Sequence, residues 1–474
     1  MNNLKQHIKL TTELQQLISS DTAWNYQIVP IKKEANQVTF ICNENSDTTA
    51  LKEELEILTP WTIELIKEKE EVLKQLLGKH YRKSGQQTET NFSITANNQS
   101  SDFLLRIINE AKSIGSSDIH IEIYEDKARI RIRIDGALQE RYTIDIEDYP
   151  ELVNKIKIKS NLNITEKRLP QDGRITFDNF DVRVSILPTL HGEKVVLRIL
   201  SRDASQIDLD YLGFTPKEKT FYLEGVNQHN GIVLISGPTG SGKTTTLYAT
   251  LKLLNKEKTN IVTVEDPIEY TLEGINQVQL KENIGLTFSS ALRSFLRQDP
   301  DIIMLGEIRD VETAQMAIRA AQTGHLVLST IHTNSAWGTI ARLIDMGIPP
   351  YLLASTINTT VAQRLVKVLC ADCKQKDKLT LLDLPKQYRD RNLEFHYTPV
   401  GCENCNFSGY QGRKAIYEVI TIDEELVDLI KDGELKIDSI LKRKGIQKIN
   451  EKAFTLLEEG ITSLEEVYAL LTTL

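Results

Sequence analysis

Hydrophobic and polar positions along this chain fall into distinct regimes. From residue 103, FLLRIINEAKSIG repeats apolar residues at helical spacing and stops at Gly115, a residue suited to a helix C-terminus. IHIEIY and KARIRIRI then alternate with period two. Ile130, Ile132 and Ile134 share one face, Arg129, Arg131 and Arg133 the other, and Asp135-Gly136 follows as a hairpin signal. A helix near 150–160 and strands near 175–177, 181–187 and 194–200 complete an α+β unit of about 100 residues. Beyond about residue 210 the alternation stops. GIVLIS, NIVTVE, DIIML and HLVLST are short continuous apolar runs, as expected of parallel strands buried on both faces, and helical segments between them make a βαβ pattern.

The flanks are less patterned. Residues before about 95 read as a small mixed domain, with strand candidates YQIVPI and QVTFI and an amphipathic segment from Trp61 to His80. The polar stretch 84–101 reads as a linker. From about 420 the chain is helical, and Ser463 and Glu466 have capping-box spacing just after Gly460. The expected organisation is therefore a first domain over 1–83, a linker over 84–101, a second domain over 102–205 and an α/β domain over 210–474. The last contains a cysteine-bearing segment at 368–414 and a helical part at 420–474.

Composition narrows the classes. A chain of 474 residues with 40% hydrophobic and 26% charged positions can build several cores and is not a disordered polyampholyte. The net charge of -9 argues against nucleic-acid binding through bulk positive charge. No stretch approaches the ~20 apolar residues of a membrane span, and MNNLKQHIKLTTELQQL lacks the apolar core of a secretory signal. A cytosolic location is expected. Of five cysteines, Cys42 reads as a buried small hydrophobe. The other four form two tight pairs.

The strongest chemical signal is the run Gly237, Pro238, Thr239, Gly240, Ser241, Gly242, Lys243, Thr244, which fits G-x-x-x-x-G-K-[ST] between an apolar strand and a helix candidate. Glycines let such a loop wrap phosphate oxygens, and its amides and the following helix N-terminus supply partial positive charge. Lys243 then meets the β- and γ-phosphates, and the Thr244 hydroxyl, with Thr245 beside it, faces Mg²⁺. Chance would give this match in about one chain per hundred; its strand and helix context makes it rarer still. Glu307 ends the apolar strand of RQDPDIIMLGEIR, where such folds hold Mg²⁺ or polarise water. Alone, an apolar strand followed by Glu says little. Between them NIVTVEDPIEY puts Glu265, Asp266 and Glu269 at the end of another strand, where one carboxylate could orient the attacking water. His325 and His332 bound the strand HLVLST. Seven residues on an extended strand are too far apart for a chelating pair, leaving γ-phosphate sensing, domain contact or a structural hydrogen bond.

Cys370-x2-Cys373 and Cys402-x2-Cys405 suit tetrahedral zinc with all four ligands from protein, hence a structural site. A redox CxxC is the weaker alternative, because two such pairs bracket one segment.

Taken together, SSDIHIE, RLPQDGRI, DVRVSILPTLHGEKVVLRIL, GPTGSGKTTTLYA, TVEDPIEY, LRQDPDIIMLGEIRD, TGHLVLSTIHTN and GCENCNFSGYQGRKAIYE resemble the assembly ATPases of type II secretion and type IV pili, over roughly residues 100–474. That resemblance implies a hexameric ring. Each subunit would join a PAS-like second domain to a RecA-like P-loop ATPase domain, and ATP hydrolysis between them would drive rotation. It further implies Lys243 and Thr244 at ATP and Mg²⁺, Glu307 as the Walker B acid, Glu269 as the water-activating base, and His325 and His332 in a histidine box. Arg174 and Arg183 match arginines that reach phosphate at a subunit interface, with Arg293 and Arg297 as further candidates. Retraction motors of this superfamily look shorter and lack the four-cysteine insertion, so the chain resembles the assembly side. The first domain lacks the repeated RLGxxL…QL signature of relatives that bind cyclic di-GMP. It is expected to dock on a membrane-anchored partner, with an inner-membrane platform protein as the ring's other partner. The leading expectation is a motor ATPase powering pilus or pseudopilus assembly at the cytoplasmic face of the inner membrane. The alternatives are a nucleotide-gated scaffold with little turnover and, from another class, a nucleic-acid motor.

Overall fold

The computed structural model describes residues 20–34, 37–81, 100–134, 136–201, 208–379, 383–391, 393–405 and 408–472, with positions 10, 14, 17 and 18 before them. Two compact units emerge: residues 1–200 with 369–375 and 398–411, and residues 201–368 with 376–397 and 412–474. Most of the expected linker, 84–99, lies outside the described residues, and a helix has already begun at Ser100.

The N-terminal module runs α1 (Ser20–Tyr26), β1 (Ile28–Glu34), β2 (Gln37–Asn43), α2 (Thr48–Leu58), β3 (Thr62–Glu68) and α3 (Glu70–His80). Its sheet is ordered β1-β2-β3, with β2 antiparallel to β1 and parallel to β3. The Trp61–His80 stretch is thus a strand and a helix rather than one amphipathic element. Thr62–Leu65 alternates exposed and inward positions, with Ile63 buried beside Val38, and helical spacing starts only at Leu73 and Leu77, both fully buried. Cys42 is buried in this core, and burial pushes its thiol pKa up.

The following α+β part contains α4 (Ser100–Ser113), β4 (Asp118–Ile123), β5 (Ala128–Ile134), β6 (Ala137–Ile144), α5 (Tyr149–Lys159), β7 (Gln171–Thr176), β8 (Phe180–Thr189) and β9 (Gly192–Ser201). Its sheet is ordered β6-β5-β4-β9-β8-β7. Ile134 pairs with Ala137, so the β5–β6 hairpin closes over two residues, with Gly136 at φ 85°. Ile130 and Ile132 are fully buried with Ile107 and Ile108 of α4 and Ile156 of α5. Each such burial stabilises by about 2–3 kcal/mol. The arginine face carries an ion grid instead. The Glu122 carboxylate accepts from Arg131 at 2.8 Å, Lys194 at 3.0 Å and Arg129 at 3.2 Å, while Asp118 meets Arg198 at 2.8 Å and Arg133 at 3.3 Å. Burial favours protonating Glu122, but Arg131 and Lys194 outweigh it and hold its pKa at about 2.

The second unit is built on a seven-stranded sheet. Its elements are α6 (Pro216–Val226), β10 (Gly231–Ser236), α7 (Lys243–Leu254), β11 (Ile261–Glu265), β12 (Asn276–Gln279), α8 (Phe288–Phe295), β13 (Ile302–Leu305), α9 (Val311–Gln322), β14 (Leu326–Ile331), α10 (Gly338–Asp345), α11 (Pro350–Thr356), β15 (Ile357–Leu369) and β18 (Tyr410–Thr421). A small ribbon, β16 (Gln375–Lys378) with β17 (Phe395–Thr398), lies between the last two strands in sequence. The order is β12-β11-β13-β14-β10-β15-β18, and every registered pair from β12 to β15 is parallel. The continuous apolar runs are explained by this: Ile232 and Leu234 enter one core cluster while Val233 and Ile235 enter another, one on each face. Four helices close the chain: α12 (Glu424–Lys431), α13 (Asp438–Arg443), α14 (Ile449–Glu458) and α15 (Leu464–Thr472). Ser463 caps the last, its hydroxyl accepting the Glu466 N–H at 3.2 Å. The Glu466 carboxylate takes the N–H and ammonium of Lys367, each at 3.1 Å.

Candidate active site and cysteine cluster

The phosphate loop leaves the buried end of β10 and enters α7. Gly242 holds φ 86° as the helix N-cap, and a Cβ there would lie 2.9 Å from the Gln363 Nε2. At Gly237 a Cβ would lie 2.5 Å from the Gln363 carbonyl oxygen and 2.6 Å from the Ser241 hydroxyl. Only glycine fits this cradle. Lys243 donates to the carbonyls of Gly237 at 2.8 Å and Pro238 at 3.0 Å. Burial lowers its pKa, opposed by the charge of Glu307 and assisted by that of Arg364. Thr244 is exposed, whereas the Ser241 hydroxyl is buried and without a hydrogen-bond partner among the described residues. A buried orphan donor beside a ring of backbone amides suits an incoming phosphate oxygen.

The acidic elements converge on the same edge because β11, β13, β14 and β10 run parallel and end together. Glu307 follows β13, and its carboxylate meets Arg309 and, at 3.3 Å, the His332 Nε2. Burial works to raise the pKa of Glu307, but Arg309 and His332 bring it below the ordinary carboxylate range. Arg309 also reaches Asp266 at 3.9 Å. Glu265 is buried and takes hydrogen bonds from Thr263 at 2.7 Å, Gln277 at 3.0 Å and Tyr248. Its oxygens are committed to holding β11, β12 and α7 together. Glu269 lies four residues beyond β11, partly buried, with its backbone N–H donating to the Tyr248 hydroxyl at 3.2 Å.

The histidines separate. Since Gly231 pairs with Leu326 and Ser236 with Ile331, His332 sits beside the loop while His325 sits at the opposite end of β14, about 20 Å away. The His325 Nδ1 lies 2.8 Å from the Ala320 carbonyl and 3.2 Å from the Thr323 hydroxyl, a C-terminal anchor for α9. Arg293 and Arg297 are not gathered in either. Arg293 pairs with Glu312, and Arg297 donates back to the Arg293 carbonyl at 2.9 Å. Arg174 and Arg183 stand opposite each other across β7 and β8 in the first unit, and Arg174 binds Asp181.

Sequence reasoning missed Gln363 and Arg364. They lie on β15 next to β10, Gln363 accepting from Thr246 at 2.9 Å and Arg364 donating to the carbonyls of Gln363 and Asn334, each at 2.9 Å. Arg364 is 8% exposed. The legible signal was two long polar side chains inside the apolar strand INTTVAQRLVKVL.

All four paired cysteines meet. Their sulfurs lie within 4.8 Å of one another, with Cys370–Cys402 and Cys373–Cys405 at 3.7 Å and Cys402–Cys405 at 3.8 Å. Four thiolates at ~2.3 Å around tetrahedral zinc have edges of about 3.8 Å, whereas a disulfide needs about 2.05 Å. The N–H of Gly401 points at the Cys373 sulfur, and those of Cys402 and Gly409 at the Cys405 sulfur, at 3.2–3.3 Å. With no metal, burial pushes the Cys373 thiol to about 12. A dication is what would hold all four as thiolates.

A family model described as type II/IV secretion system protein matches residues 96–469, the span that carries the loop, both carboxylates and the cysteines. The chain belongs to that family. Among curated relatives of the family, it is 38% identical to the type IV pilus assembly ATPase PilB of Myxococcus xanthus, covering 98% of this chain and 88% of that one. With the type II secretion system ATPase E of Vibrio cholerae it shares 44% identity over 77% of this chain and 74% of that protein. Among solved structures of the fold, the pilus retraction motor PilT with bound ADP is 27% identical, with a TM-score of 0.54 over 77% of this chain and 96% of that one. The Legionella pneumophila ATPase DotB, at 22% identity, has a TM-score of 0.60 over 80% and 97%. These likenesses establish the RecA-like α/β ATPase fold of the second unit.

Proposed function

We propose that this family member is a motor ATPase that hydrolyses ATP to drive assembly of a pilus or secretion pseudopilus. One observation carries the reading: the glycine cradle with Lys243 and the Glu307–Arg309–His332 cluster share the carboxyl edge of one parallel sheet. The names of the M. xanthus and V. cholerae relatives, and the ADP of the retraction motor, support it. Lys243 and the amides of residues 239–245 bind the β- and γ-phosphates, and Thr244 and Glu307 would hold Mg²⁺, which neutralises phosphate charge. Glu269 orients the attacking water. In a homo-hexamer, Arg174 and Arg183 serve charge developing on the phosphoryl group, with Arg293 and Arg297 as lesser candidates. Cys370, Cys373, Cys402 and Cys405 hold a structural zinc. No helix among the described residues is long and apolar enough to cross a membrane, in keeping with work on the cytoplasmic face of the inner membrane through a platform protein and a docking protein.

The test is ATP turnover by the oligomer. Lys243→Ala should abolish phosphate release while leaving thermal stability within a few degrees; unchanged turnover refutes the assignment.

A further inference from the structure

We propose that Tyr248 is a positioning residue for Glu269, fixing the backbone of the water-orienting carboxylate to the helix that begins at the phosphate loop. The proposal rests on reading Glu269 as that carboxylate. Tyr248 lies four residues after Thr244 on α7, so its place is set by the helix turn that starts at Lys243. Its side chain is fully buried, with the ring edge-on to Tyr270 at 5.7 Å.

The hydroxyl meets groups with opposite demands, the backbone of Tyr270 among them. It donates to the buried carboxylate of Glu265 and accepts the N–H of Glu269 at 3.2 Å. Burial and the Glu265 charge push its pKa far up, so it remains a neutral donor. Glu265 is also held by Thr263 and Gln277, and Gln277 in turn donates to the Tyr270 carbonyl at 2.9 Å while accepting the Leu272 N–H at 2.7 Å. The segment carrying Glu269 is therefore tied at Glu269, Tyr270 and Leu272. The Tyr248 hydroxyl on α7 supplies the tie at Glu269 and reaches the Tyr270 backbone as well. A shift of α7 as phosphate binds at its N-terminus would reach the Glu269 backbone through this oxygen, which distinguishes Tyr248 from a residue that merely fills the core.

Tyr248→Phe removes the hydroxyl, keeps the ring, and leaves Glu265 with two donors. The expected result is about a tenfold fall in kcat, since an ångström of misplacement costs up to about 100-fold. Affinity for a fluorescent ATP analogue should stay within about twofold of wild type, because the loop contacts are untouched. In a Glu269→Gln background, single-turnover rates should show no further loss on adding Tyr248→Phe, the signature of two residues acting as one. Wild-type kcat, an undiminished second loss in the double variant, or a parallel loss of nucleotide affinity each overturns the proposal. Wild-type turnover by Glu269→Gln alone instead sinks the underlying reading, and the proposal with it. Should Tyr248→Phe fail to assemble, Glu265→Gln gives a second route. Its amide would donate to the tyrosine oxygen in competition with the Glu269 N–H, and the same kcat-selective loss is expected; unchanged kcat refutes the relay.

Discussion

Three glycines of one loop make a graded test of whether the cradle works by close approach or by flexibility. At Gly240 φ is 80° and a Cβ would meet nothing within 4 Å. Gly240→Ala therefore costs only left-handed strain, about 1–2 kcal/mol. If the loop keeps its shape that appears as lost stability; if it relaxes, nucleotide affinity falls by at most about 5- to 30-fold. Gly242→Ala adds a 2.9 Å contact with the Gln363 amide, the far end of a side chain that also holds Thr246 at 2.9 Å. Gly237→Ala drives a methyl to 2.5 Å from a backbone carbonyl of the adjacent strand, which cannot rotate away. Loop or strand must then move by about an ångström, a displacement worth about 100-fold in kcat/KM. Titration with a fluorescent nucleotide and steady-state phosphate release, each with a thermal melt, would rank the variants Gly240 < Gly242 < Gly237 in damage. Equal losses at Gly240 and Gly237, or wild-type binding by Gly237→Ala, would refute the steric account.

Other expectations follow from the same geometry. Metal analysis of the purified protein should find about one zinc per chain, and Cys402→Ser should lose it together with several degrees of thermal stability; a metal-free wild type that melts at the same temperature contradicts the site. His332→Ala should lower kcat by about tenfold or more through Glu307, whereas His325→Ala should cost about 1 kcal/mol of stability from its helix anchor with kcat within twofold, and equal kcat losses would reject the separation. Glu122 titrates lower in the folded chain than in the unfolded one, so its contribution is present above about pH 4.5 and is lost as pH falls toward 2. That contribution is about 3 kcal/mol, and Glu122→Gln should flatten the acid side of the stability profile; an unaltered slope below pH 4.5 would show the grid to be inert.

Much of this molecule is legible along the chain because its signals are local. Period-two alternation placed Ile130 and Ile132 inside and the arginines on the ion grid, since adjacent residues of a strand face opposite ways. The glycines and Lys243 announce the phosphate loop because backbone geometry there depends on near neighbours alone. Trp61–His80 was harder: seven residues of strand are too few for a pattern to outweigh the helix that follows. Strand order had no local signature. It depends on which apolar faces pack together, and it alone brought Glu307 to the loop, set His325 at the far edge and slid Gln363 and Arg364 beneath Gly237 from over 100 residues away. Two cysteine pairs could be counted in the chain, but the convergence of their four sulfurs to within 4.8 Å belongs to the fold, because chain separation says nothing about distance once the backbone has turned back on itself.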